Sequence, residues 1–224
     1  MAIVVVGGNT RNIGKTSVVA ALIARLPEFR WTAFKITQYG HGFCTAKGHP
    51  CACEPEEACV AVNPERDASS GTDTSRFLAA GAERVFWIRT RIGRIAGAMP
   101  RIRYEIESAP NAILESNSVL EFLQPDLYLT VLDPSVADFK ESARRYLPRA
   151  DAILLSQRDA DPQALLHPAL LARPRFAVGP PDWVSDSLAA FVRARLAAVS
   201  SARGSSLTPP VSSGSPPASG SASS

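Results

Sequence analysis

The sequence predicts an α/β domain of three layers built on a mostly parallel, doubly wound sheet of about seven strands. Two observations predict the layering. Short runs rich in Val, Ile, Leu and aromatic residues alternate with longer segments of helical periodicity. Several of those runs are apolar throughout, without alternation, as strands covered on both faces must be. A third observation bounds the size: 224 residues with 46% apolar and 20% charged content suit one generous domain with a large core.

The expected strands are AIVVVG (2–7), WTAFKIT (31–37), ERVFWIRT (83–90), NAILES (111–116), LYLTVLD (127–133), DAILLS (151–156) and RFAVG (175–179). Helical patterns fall between them at 15–26, 73–81, 92–107, 139–149, 162–172 and 183–200. The last presents Trp183, Leu188, Phe191, Val192, Leu196 and Val199 as an apolar stripe. Residues 38–72 carry no periodicity, and a loop of that length is read as an insertion within a domain spanning 1–200. Residues 201–224 are mostly Ser, Pro, Gly and Ala with one charge, so they are expected to be disordered and outside the fold.

Bulk properties exclude several classes. The net charge of +3 is too small to argue for a nucleic-acid partner. The longest apolar run after the first strand, SVVAALIA (17–24), falls short of the ~20 residues a membrane helix needs. MAIVVVGG lacks a basic leader and reads as a first strand, not a signal peptide. The expected location is cytoplasmic, where the four cysteines are thiols or metal ligands rather than disulfides.

GGNTRNIGKT (7–16) carries the strongest chemical signal. Gly14-Lys15-Thr16 follows a strand and opens a helix, the context in which Gly-x₄-Gly-Lys-Ser/Thr cradles phosphates. Backbone amides at a helix N-terminus then face an anion. Asn9, Thr10, Arg11, Asn12, Ile13, Gly14, Lys15, Thr16 and Ser17 would line that cradle. Lys15 would reach the β- and γ-phosphates, the Thr16 hydroxyl would ligate Mg²⁺, and Ser17 would add a bond to the α-phosphate. The slot for the first glycine holds Asn9, with Gly8 one residue early. Asn is tolerable there because it enters positive φ more readily than most residues.

Four separated motifs in the first 120 residues resemble molybdopterin-guanine dinucleotide biosynthesis protein B, a GTP-binding P-loop family, and its relatives in the SIMIBI class. They are the loop itself, FKITQYGHGF (34–43) with Lys35 and His41, GTDTSRFLAAGA (71–82) with Gly71, Asp73 and Arg76, and AILESNS (112–118) with Glu115. Ser116 replaces the family's glycine after the acid. Further on, residues 131–159 resemble the SIMIBI segment ending in Asn-Lys-x-Asp, here Ser156, Gln157, Arg158 and Asp159. The resemblance implies the P-loop NTPase fold, Mg²⁺, a nucleoside triphosphate with GTP preferred over ATP through Asp159, and a cofactor-biosynthesis enzyme as partner. A homodimer is left open.

Magnesium on phosphates takes one or two carboxylates. Glu115, Asp73 and Asp133 are the candidates, Glu115 foremost because it ends a strand beside the first. Asp73 opens a helix, where capping would serve equally. No general base stands out, so slow hydrolysis by positioning and charge neutralisation is expected, with Lys15 and Glu115 as the catalytic pair and Arg11 adding charge. All the cysteines fall within 41–59: Cys44, Cys51, Cys53 and Cys59, with His41 and His49 as substitutes. Zinc or an iron–sulfur cluster is expected to order that segment, although the spacing matches neither common pattern; redox-active thiols and a mobile loop with incidental cysteines are the alternatives. Residues 83–103 hold six arginines with Phe86 and Trp87, read as a buried strand and amphipathic helix in preference to a nucleic-acid or anionic-cofactor surface; a role for Arg89 and Arg91 in gripping a phosphorylated second substrate stays open. The rival readings are an ATP-dependent small-molecule kinase or ligase of the dethiobiotin synthetase type, and a metal-responsive nucleotide-binding adaptor without turnover.

Overall fold

The computed structural model describes residues 1–39, 60–136, 139–156, 170 and 172–205. Eight strands form one sheet: β1 (Ile3–Gly8), β2 (Trp31–Tyr39), β3 (Val60–Pro64), β4 (Arg84–Arg91), β5 (Asn111–Glu115), β6 (Leu127–Leu132), β7 (Ala152–Leu155) and β8 (Arg175–Ala177), in the order β3-β4-β2-β5-β1-β6-β7-β8. Every pairing is parallel except β3 on β4. Among the described residues the helices are α1 (Lys15–Arg25), α2 (Asp73–Ala79), α3 (Met99–Glu107), α4 (Glu141–Tyr146) and α5 (Asp186–Ser205). None among the described residues is long and apolar enough to cross a membrane.

β1 shows why the layers form. Val4, Val5 and Val6 are all fully buried, yet they belong to different cores because successive side chains point to opposite faces. Val4 and Val6 join α1, α2 and α5 through Leu22, Phe77, Leu188, Val192 and Leu196. Val5 joins α3 and α4 on the other face, through Ile102, Ile106 and Tyr146. Each such side chain contributes roughly 1.5–3 kcal/mol by burial. α1 buries Val18, Val19, Leu22 and Ile23, one stripe at helical spacing, and ends where Pro27 forces Leu26 out of the helical region. The Trp31 indole N–H donates to the Leu26 carbonyl at 2.8 Å, so the ring is buried without an orphaned donor.

The sheet has eight strands where seven are predicted. The addition, β3, lies inside the segment read as a loop without periodicity, 38–72; β2 also runs on to Tyr39. β3 is a short antiparallel edge with Val60 and Val62 against the core, and its ending in Pro64 suits an edge. The helix predicted over 92–107 begins only at Met99, after a 3₁₀ turn at Ile95–Ala98. That predicted over 139–149 is α4 followed by a 3₁₀ turn, Leu147–Arg149, at Pro148. The last begins at Asp186 rather than 183 and continues through Ser205, into the segment expected to be disordered. The helix predicted over 162–172 lies outside the described residues except for 170 and 172, as do 206–224.

Candidate functional site

β1 lies between β5 and β6, where the chain moves one way to β2 and the other way from β5 to β6. Crevices at such switch points, beyond the carboxyl ends of the strands, are where open α/β sheets bind ligands. The loop from Asn9 to Gly14 fills this position and leads into α1.

Its two early glycines answer to packing. A Cβ on Gly7 would stand 2.1 Å from Asn117 Oδ1, and one on Gly8 would stand 2.9 Å from Lys15 Cδ. Asn117 brackets the end of β1, accepting from Gly8 N at 2.9 Å and donating to Gly8 O at 2.8 Å. Nothing in the sequence singles out Asn117 for this task.

Asn9 does not occupy positive φ, contrary to expectation; Asn12 (φ 58°) and Gly14 (φ 90°) do. Asn9 is fully buried, and its amide reads the backbone of Asp133, donating to the carbonyl and accepting from the N–H, both at 3.1 Å. A glycine would lose both bonds. Asn9→Gly, which restores the common loop pattern, is therefore expected to destabilise the protein by roughly 2 kcal/mol. Chemical denaturation measures this, and a gain in stability or nucleotide affinity would contradict the bracket.

α1 has no side-chain cap and no acidic residue in its first turn, so its leading amides are left for an anion. Lys15 folds back over the loop, its Nζ donating to the Thr10 carbonyl. Burial is the main cause that pushes the Lys15 pKa down to about 8; Glu115 opposes it, while Lys140, Lys35 and Arg11 add to the lowering. Ser17 Oγ accepts from Arg76 Nη2 at 2.8 Å.

The acids divide. Thr16 Oγ1 donates to Glu115 Oε2 at 2.9 Å, and Lys35 Nζ stands 2.5 Å from Glu115 Oε1, 2.9 Å from Asp73 Oδ2 and 3.1 Å from Thr16 Oγ1. Thr16, Glu115 and Asp73, the expected Mg²⁺ ligands, thus converge on one cationic atom. Hard oxygens already arranged around a positive charge fit a divalent cation. Register explains the convergence, since Glu115 sits beside Val6 on one side and Lys35 on the other. Asp73 is not the cap of α2: Thr72 is, accepting from Ser75 N at 3.1 Å. Asp133 stays apart, turned onto Ser135 N at 3.0 Å and Ser135 Oγ at 2.6 Å.

Two further features border the site. Trp183, outside the helix in which it was predicted, lies so close to the loop that a Cβ on Gly14 would be 2.0 Å from its ring. A cavity of about 110 Å³ opens beside Lys35, lined by Thr37, Thr72, Asp73, Thr74 and Trp87. Arg89 stacks on Trp87 at 4.7 Å and reaches Asn63 at 3.1 Å. Asp159, Cys44, Cys51, Cys53, Cys59, His41 and His49 lie outside the described residues. Among the described residues no group of three or more His, Cys, Asp or Glu is placed to hold a metal.

No family model matches the chain, and no curated protein matches it. Among solved structures it is similar to LpxK from Aquifex aeolicus in complex with ATP, at 17% identity over 79% of this chain, TM-score 0.47. The chain spans about half of that protein, 53%. It is also similar to HypB from Helicobacter pylori in complex with nickel (16% identity, 90% of this chain and 87% of that, TM-score 0.41). Bacillus subtilis MobB gives 15% identity over 87% of this chain and 98% of that, TM-score 0.40. At these scores the likenesses carry no weight for function, which rests on the site's own geometry.

Proposed function

We propose that the chain is a Mg²⁺-dependent P-loop nucleotide-binding protein that hydrolyses GTP or ATP slowly, in cofactor or metallocentre biosynthesis. One observation carries it: the uncapped start of α1, with Lys15 folded across the loop and the Thr16–Glu115 pair opposite. In this reading the amides and Lys15 hold the phosphates, while Thr16, Glu115 and Asp73 hold the metal. Bound Mg²⁺ would supply neutralisation of phosphate charge. Glu115, 4% exposed, accepts from Thr16 and pairs with Lys35. The GTP preference rests on Asp159, whose carboxylate would accept from the guanine ring. A second reading, transfer of the terminal phosphate to a small molecule, is favoured by the cavity beside Lys35.

Titration of fluorescent GTP and ATP analogues with Mg²⁺ tests the proposal, and phosphorylated product rather than free phosphate would select the second reading. The pH profile adds a signature. Lys15 titrates near 8 in the folded protein against an ordinary 10.5. Between those values the unfolded chain binds the extra proton, so this group's contribution to stability rises with pH. Phosphate affinity runs the other way, because the neutral amine attracts no anion. Affinity is expected to fall about tenfold from pH 7 to 9. A flat profile would remove Lys15 from the phosphate site.

A further inference from the structure

We propose that Lys35 is a built-in stand-in for the metal: its ammonium holds Thr16, Glu115 and Asp73 in place and is displaced when a divalent cation binds. The inference rests on the metal reading of this site. The ammonium donates to Glu115 Oε1 and Thr16 Oγ1 and forms an ion pair with Asp73 Oδ2 at 2.9 Å. Without a cation here, Glu115 would be an uncompensated buried charge close to a second carboxylate. The ammonium therefore keeps two acids together that would otherwise repel.

It cannot share the seat. Magnesium draws oxygens to about 2.0–2.1 Å, inside the 2.5–3.1 Å shell that Lys35 maintains. Lys35 already lines the 110 Å³ cavity, which is roomy for a displaced ammonium when about 10–15 Å³ of such space holds one water. The Thr37 hydroxyl there accepts from Trp87 Nε1 at 3.1 Å and keeps a second lone pair for the arriving amine. Lys35 is thus a positioning residue for the metal's ligands, and metal affinity in the absence of nucleotide is held down by its competition.

Mn²⁺ binding to the full chain, followed by electron paramagnetic resonance without nucleotide, tests this. Lys35→Met is expected to bind Mn²⁺ at least about tenfold tighter than wild type, while Lys140→Met changes affinity much less. Metal-free Lys35→Met should melt lower than wild type and recover more when Mn²⁺ is added. Lys35→Gln, which keeps polar hydrogens without charge, should also bind Mn²⁺ more tightly and serves if Lys35→Met fails to fold. Unchanged or weaker binding in the Lys35 variants overturns the proposal, as does an equal gain in Lys140→Met, which would be a general charge effect. Because no nucleotide is present, failure here is separate from failure of the phosphate reading.

Discussion

Lys15→Ala is expected to weaken binding of a GTP or ATP analogue at pH 7 by about 100-fold or more, with almost no loss of stability. The two halves of that expectation share one cause. In the free protein the Lys15 ammonium is desolvated, and its acceptor is a carbonyl of its own loop, so the charge is held at a cost. Removing it relieves that cost and leaves Glu115 compensated by Lys35. With phosphate present the same ammonium makes charge-assisted bonds of roughly 1.5–3 kcal/mol each, and two of them account for the loss. Fluorescence anisotropy and thermal unfolding measure the two halves. Equal affinity in the two proteins ends the phosphate reading, while a large drop in melting temperature would make Lys15 a structural residue.

Gly14→Ala is expected to cost about 2–3 kcal/mol of stability and to abolish nucleotide binding. Gly14 stands at φ 90°, where an alanine is strained, and its Cβ would fall 2.0 Å from the Trp183 ring. The indole cannot withdraw without uncovering the core beneath α1 and α5, against which it packs. Adding Trp183→Ala to Gly14→Ala should recover the part due to collision and leave the backbone strain. If the double variant is no more stable than the sum of the singles, loop and ring are not in contact.

The sheet was legible because its strands are buried on both faces, which leaves unbroken apolar runs such as IVVV. β3 was not, since an edge strand needs only Val60 and Val62 on its inner face. The loop was legible from Gly14, Lys15 and Thr16 and their flanks. What Asn9 does was not, because its partner Asp133 is 124 positions away. Lys35 stands out as a motif match, but its contacts follow from the β2–β5 register, which no local pattern encodes. Trp183 fits a helical stripe by spacing alone, and the helix begins three residues later.

The seating of β1 between β5 and β6 has a consequence for biosynthesis. Of this sheet's strands the earliest in the sequence is a central one, and its two neighbours follow more than a hundred residues later. Its apolar side chains must therefore wait without their final contacts, a situation in which long-range parallel pairing is slow and exposed to aggregation. The loop gains its Trp183 cover later still, so the nascent chain cannot complete this pocket until residue 183 has been made.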